Sequence, residues 1–252
     1  MPMRFLSRLV SLFPSSHYAL LAAFFLAGLE VIFALHQFII LLVAGLLALL
    51  FIGIVLVRAE EGGRFHPTQT ILPALAALGL TSFALFLPTT QYLHMYFLGC
   101  SVVFFYVLKY GAKQAYPTWN WVISLAVLFV CLASFLGWRF HLYVPVVFVV
   151  GSVFLTFFLI SLQSLQRLVP STSEAMLLSL SAAFVLTEIA WVLQFLPLYY
   201  LVQTGVLTAI YYVMFHLVTA SYEGGVKSRD VVEYMIIGGV ALLMILATAR
   251  WI

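Results

Sequence analysis

The chain has 252 residues, 65% of them hydrophobic and only 8% charged, against roughly a quarter charged in an ordinary soluble domain. With a net charge of +3 and a mean hydropathy of +1.17, it cannot cover itself with a water-facing surface. A soluble enzyme, a nucleic-acid binder and a disordered chain are therefore excluded. The expected class is an all-α integral membrane protein, because alternating barrel patterning is absent and unpaired backbone is costly in lipid.

A membrane-spanning helix needs ~20 mostly apolar residues. Nine candidate spans follow in chain order: Tyr18 to Leu35, Phe38 to Val57, Thr70 to Leu87, Tyr92 to Leu108, Trp119 to Leu136, Tyr143 to Leu162, Ala175 to Leu196, Leu198 to Ala220 and Val231 to Ala249. Arg4 and Arg8 ahead of the first resemble a signal peptide, but the apolar stretch is long, contains Glu30 and ends without a cleavage site. An uncleaved first span is expected.

Basic residues orient the chain. With the N-terminus inside, nine of the 11 Lys and Arg fall in cytoplasmic segments and only Arg139 and Arg250 fall outside, a strong positive-inside bias. The expected location is the plasma (inner) membrane, N-terminus cytoplasmic and C-terminus outside. The longest polar connections, Arg58 to Gln69 and Ser221 to Asp230, are ordinary loops. One domain over residues 1–252 is expected, with the bilayer, other membrane proteins or a second copy of the chain as partners and no nucleic acid.

The sequence also hints at repetition, with repeat-like halves at 18–88 and 176–250. Ala22-Ala23-Phe24 followed by Glu30 is echoed by Ala182-Ala183-Phe184 followed by Glu188, and Glu61-Gly62-Gly63 by Glu223-Gly224-Gly225. Glu30, Ser82, Ser134 and Glu188 are spaced by 52, 52 and 54 residues, the length of a helical hairpin with its loop. Tandem hairpins plus one C-terminal helix are the architecture this suggests.

Glu30 and Glu188 each lie roughly 20 Å along a span at ~1.5 Å per residue. A carboxylate facing lipid is expensive, so both are expected to face the interior and to bind a cation or a proton. Ala23, Ala27, Glu30, Ala34 and Gln37 form one helical stripe; Glu174, Ser181 and Glu188 form another. His36, Gln91, His94, Gln194 and Gln203 gather at the same outer level and complete a polar vestibule. On the inner side, His216 with Tyr212 four residues before it is a relay candidate or a hydrogen-bonded pair.

Catalytic constellations are missing. Glu60-Glu61 lies in a Gly-Gly turn without the histidine partners an intramembrane protease needs, and Gly at such a turn supplies positive φ. No Ser-His-Asp set can be assembled, since the only Asp is Asp230. There is no His pair for zinc and no phosphate-binding glycine loop. Cys100 and Cys131 lie in separate apolar runs without metal-ligand spacing. No metal or cofactor is expected, and an enzyme acting on lipid or prenyl chains is only the third reading. The leading function is a small transporter or channel-like protein with an intramembrane acidic site; the alternative is a non-catalytic subunit or assembly protein of a membrane complex.

Overall fold

The computed structural model describes residues 16–34, 70–87, 90–111, 117–166, 168–169, 171–223, 225 and 228–247. These form α1 (Ser16–Ala34), α2 (Ile71–Phe83) with a 3-10 turn at Ala84–Phe86, and α3 (Thr90–Tyr106) with a π turn at Val107–Gly111. Then come α4 (Pro117–Leu142), α5 (Val146–Leu165), α6 (Thr172–Leu193), α7 (Tyr200–Glu223) and α8 (Ser228–Ala247). No strand occurs among the described residues. Each helix overlaps one span predicted from the sequence; the ninth, Phe38 to Val57, lies outside the described residues.

Five stretches are long and apolar enough to cross a membrane: Tyr92–Lys109, Trp121–Leu142, Val146–Leu165, Thr172–Leu193 and Tyr200–Tyr222. Tyr18–Val31, Ile71–Phe86 and Val231–Ala247 are shorter apolar helices. The chain divides into two compact units, residues 1–124 and 125–252.

In the first unit α3 is the centre. Its Ser101 hydroxyl donates to the Ala22 carbonyl of α1 at 2.9 Å, and Phe104 stacks on Phe25 with centroids 4.5 Å apart. On another side, the Tyr96 hydroxyl donates to the Leu80 carbonyl of α2 at 2.7 Å. Along α1 the buried positions are Tyr18, Leu21, Ala22, Phe25 and Leu29, a stripe at three- and four-residue steps.

The second unit is an antiparallel run. In the α6–α7 pair, Gln194 meets Gln203 and Glu174 meets Tyr222, so the residue numbers run in opposite directions. The α7–α8 pair shows the same, with Gly205 beside Ile245 and Val213 beside Gly238. In the second unit α6 packs on α5 and buries Ala175, Ser179, Ala183, Leu186, Thr187, Ala190 and Leu193. Four of these are Ala or Ser, and small side chains let helix backbones approach closely.

Local signals explain the breaks. After α4 the chain turns through Tyr143, at φ 54°, and Pro145 precedes α5 with φ −55°, a value its ring favours. Between α7 and α8, Gly225 takes φ 89°, a conformation that side chains resist and glycine permits.

Candidate functional site

The polar residues fall by unit, one place in the first unit and two in the second. The first is between α1 and α3. Glu30 lies 14 residues beyond the first residue of α1, roughly 21 Å along the helix. His94 is in the second turn of α3. Their side chains meet with His94 Nδ1 2.8 Å from Glu30 Oε1. The helix pairing explains this. The Ser101–Ala22 bond fixes the register, and seven residues back along α3 and eight forward along α1 bring His94 opposite Glu30. Neither group is enclosed among the described residues: the side chains are 54% (His94) and 39% (Glu30) exposed.

The surroundings of Glu30 differ from the sequence expectation. Ala23 and Ala27, expected to face the interior with it, are exposed. Leu21, Ala22, Phe25 and Leu29 form the packed stripe instead, with Phe25 stacked on Phe104 of α3. Glu30 sits at the margin of that stripe, where a polar side chain can reach across to the neighbouring helix. Gln91 is in the first turn of α3, three residues before His94. His36 lies outside the described residues.

The second place joins the end of α4 to α6 and α7. Arg139 Nη1 donates to Gln194 Oε1 at 2.9 Å, Gln194 Nε2 donates to Gln203 Oε1 at 2.9 Å, and Gln203 Nε2 donates to the Leu198 carbonyl at 2.9 Å. Every link runs donor to acceptor in one direction, so the chain polarises cooperatively. An aromatic group flanks it, with Phe140 5.6 Å from Tyr199 and His141 5.4 Å from Tyr200. Arg139 was not among the sequence candidates; its signal was being one of only two basic residues on the predicted outer side.

The third place is a groove of about 500 Å³ between α5 and α6, lined by Val147, Val150, Gly151, Phe154, Phe184, Thr187, Glu188 and Trp191. Here lies Glu188, and it is exposed. So are Glu174 and Ser181, the other members of its predicted stripe. The small residues Ala175, Ser179, Ala183 and Ala190 hold the α5-facing side, and this rotation leaves the acidic stripe outward. Ser82 and Ser134, which the spacing aligns with the two acids, are both buried.

His216 and Tyr212 are in contact through their rings, 4.5 Å between centroids, and His216 also stacks on Tyr234 of α8 at 4.8 Å and 14°. The imidazole is thus clamped between α7 and α8. At the other end of the α6–α7 pair, the Tyr222 hydroxyl donates to Glu174 Oε1 at 2.7 Å. Cys100 and Cys131 are both buried. Among the described residues no group of three or more His, Cys, Asp or Glu converges.

Chemically, the α1–α3 pair brings a carboxylate and an imidazole from two apolar helices into hydrogen-bond contact. No curated protein and no solved structure matches the chain. A family model described as a protein of unknown function (DUF5656) matches residues 17–248, and over that near-complete length the chain belongs to this family.

Proposed function

We propose that the protein is a multi-pass membrane protein of the plasma (inner) membrane, N-terminus cytoplasmic and C-terminus outside, and that it works as a small transporter or channel-like protein. In this reading Glu30 and His94 are its proton- or cation-binding pair. The observation that carries the reading is the 2.8 Å contact between a carboxylate and an imidazole on two apolar helices. Ionisable groups in such segments mark ion and proton pathways more often than they mark packing.

The membrane setting is supported by large exposed side chains around these helices. Met95 and Leu98 on α3, and Leu243 and Met244 on α8, are exposed, and lipid covers such surface where water would not. It is also supported by the distribution of Lys and Arg, nine against two.

The chemistry follows from the two groups. With no proton the pair is carboxylate and neutral imidazole; with one it is neutral overall; with two it is carboxylic acid and imidazolium. Successive protons therefore move its charge from −1 through 0 to +1, and each change alters what the neighbouring helices attract. Since His94 Nδ1 faces Glu30 Oε1, the shared proton moves between the two without large motion.

Proton flux in vesicles containing the purified chain and an internal pH dye tests this. The expected result is flux in the native protein and its loss in Glu30→Gln and in His94→Gln, with Glu174→Gln unaffected. Folded protein without flux would favour the role of a non-catalytic subunit in a larger membrane complex.

A further inference from the structure

We propose that Arg139, held by Gln194 and Gln203 at one end of the second unit, binds a phosphate group. This gives an anion site to a unit that holds neither member of the proton pair, and it stands whether or not Glu30 and His94 move protons.

Four observations carry it. The first is an unbalanced charge. Arg139 is half-buried in the last turn of α4. A guanidinium stays charged and offers several N–H donors but no acceptor. Among the described residues its one bond runs from Nη1 to Gln194 Oε1 at 2.9 Å, and it forms no ion pair. A neutral amide does not balance a cation, and drawing a charge out of water without a counter-charge is costly.

The second is the direction of the hydrogen bonds. Gln194 turns its oxygen to Arg139 and its nitrogen to Gln203 Oε1, and Gln203 spends its own nitrogen on the Leu198 carbonyl. Gln203 is buried, so the relay is anchored in packed interior. It steadies the guanidinium without neutralising it, and the donors that Gln194 does not use are left for an acceptor from outside. The planar fork of an arginine matches two oxygens of a phosphate, and a side chain already held in place loses less freedom on binding.

The third is the local field. Glu174, Glu223, Asp230 and Glu233 lie toward the opposite end of α6, α7 and α8, the end marked by the Tyr222–Glu174 bond. Glu188 is six residues before Gln194, roughly 9 Å along α6 and on another side of that helix. The N-terminus of α7 is at the Arg139 end and has no acid in its first turn, so its partial positive charge adds to that of the guanidinium. An anion is attracted here and a cation repelled.

The fourth is the level at which the charge sits. Phe140 lies 5.6 Å from Tyr199, His141 5.4 Å from Tyr200, and Tyr199 4.4 Å from Tyr200; Tyr143 beyond them is exposed. Aromatic rings with a polar edge gather at the headgroup level of a bilayer, where lipid phosphates lie. This favours the phosphodiester of a phospholipid over phosphate free in water, although both offer Arg139 the same oxyanion.

The experiment is titration calorimetry on the full-length protein in a maltoside detergent, which carries no phosphate. The probes are dioctanoyl phosphatidylglycerol, inorganic phosphate and dioctanoylglycerol. Saturable binding of the phosphatidylglycerol is expected, weakened about tenfold or more in Arg139→Gln. Arg139→Lys keeps the charge without the fork and should fall between the two. Arg229→Gln removes an exposed cation of α8 at the opposite end and should bind as the native protein does. Inorganic phosphate binding as tightly as the lipid would sustain the site and make its ligand a free phosphate. Thermal unfolding and size-exclusion profiles matching the native protein exclude misfolding as the cause; if Arg139→Gln does not fold, Arg139→Lys decides, and native affinity in it overturns the proposal. The proposal is also overturned if neither phosphate compound binds, or if dioctanoylglycerol binds as tightly as the phosphatidylglycerol. Native affinity in well-folded Arg139→Gln, or an equal loss in Arg229→Gln, overturns it as well.

Discussion

Glu30 Oε1 and His94 Nδ1 lie 2.8 Å apart although 64 residues separate them in the chain. The pair closes one end of the α1–α3 contact, and the Ser101–Ala22 hydrogen bond fixes its register two turns away. A carboxylate–imidazole contact between two apolar helices acts both as a link and as a titratable site, and the two roles separate by experiment. In a double-mutant cycle with Glu30→Ala and His94→Ala, the coupling measured by unfolding should be about 0.6 kcal/mol, the mean for interhelical hydrogen bonds in membranes, and below their maximum of about 1.7 kcal/mol.

Gly238 is a steric requirement of the α7–α8 pair. A methyl group at its Cα would overlap Val213 Cγ2, and a valine methyl cannot swing away. Gly238→Ala should cost about 1–3 kcal/mol, as overpacking does. Gly205→Ala should cost less, because the nearest atom is the flexible end of Ile245, at 3.1 Å. Thermal unfolding of the two variants side by side checks the order.

The Arg139–Gln194–Gln203 chain ends on the Leu198 carbonyl, and Gln203 is buried. Gln203→Leu keeps the volume but leaves Gln194 Nε2 and a backbone carbonyl without their partners. The expected loss is about 1–3 kcal/mol. Arg139→Met, at the half-buried end of the chain, should cost less than Gln203→Leu in the same assay.

His216 is held by rings on both sides, Tyr212 and Tyr234. His216→Phe preserves a flat ring and should unfold near the native temperature, whereas His216→Ala removes both contacts and should lower it. A stacked pair of this kind contributes ~0.5–1.5 kcal/mol beyond its buried area. Proton flux through the His216→Phe variant also tests the inner-side relay expected from the sequence.

Tyr143 and Ser171 flank α5, a helix of 20 residues, roughly 30 Å long. Both are exposed. In whole cells a membrane-impermeant thiol reagent should label Tyr143→Cys from outside and Ser171→Cys only after permeabilisation. Labelling of both from one side would remove the spanning assignment of α5.

Apolar runs made the helices legible. Eight of the nine predicted spans overlap helices α1–α8, five of them long and apolar enough to cross a membrane, because length and hydropathy act locally and need no knowledge of neighbours. The breaks were marked less clearly: Tyr143 takes a left-handed φ that its residue type does not advertise. Which face each helix packs was harder to read. On α6 Glu188 seemed to demand burial, yet the buried side holds Ala175, Ser179, Ala183 and Ala190, and packing decided the rotation. The meeting of Glu30 with His94 was foreshadowed only as a shared level. Their contact depends on the α1–α3 register, which is set by Phe25, Phe104, Ala22 and Ser101, residues with no chemical signature of their own. Arg139 was counted as a charge of the outer side, since its glutamine partner lies 55 residues further on.

The most direct measurement is dye-monitored proton flux across vesicles containing the native chain, the two single variants Glu30→Gln and His94→Gln, and the double variant. The account predicts flux in the native protein and an equal, near-complete loss in all three variants, because one shared proton site is removed each time. Native-level flux in the folded double variant would contradict it.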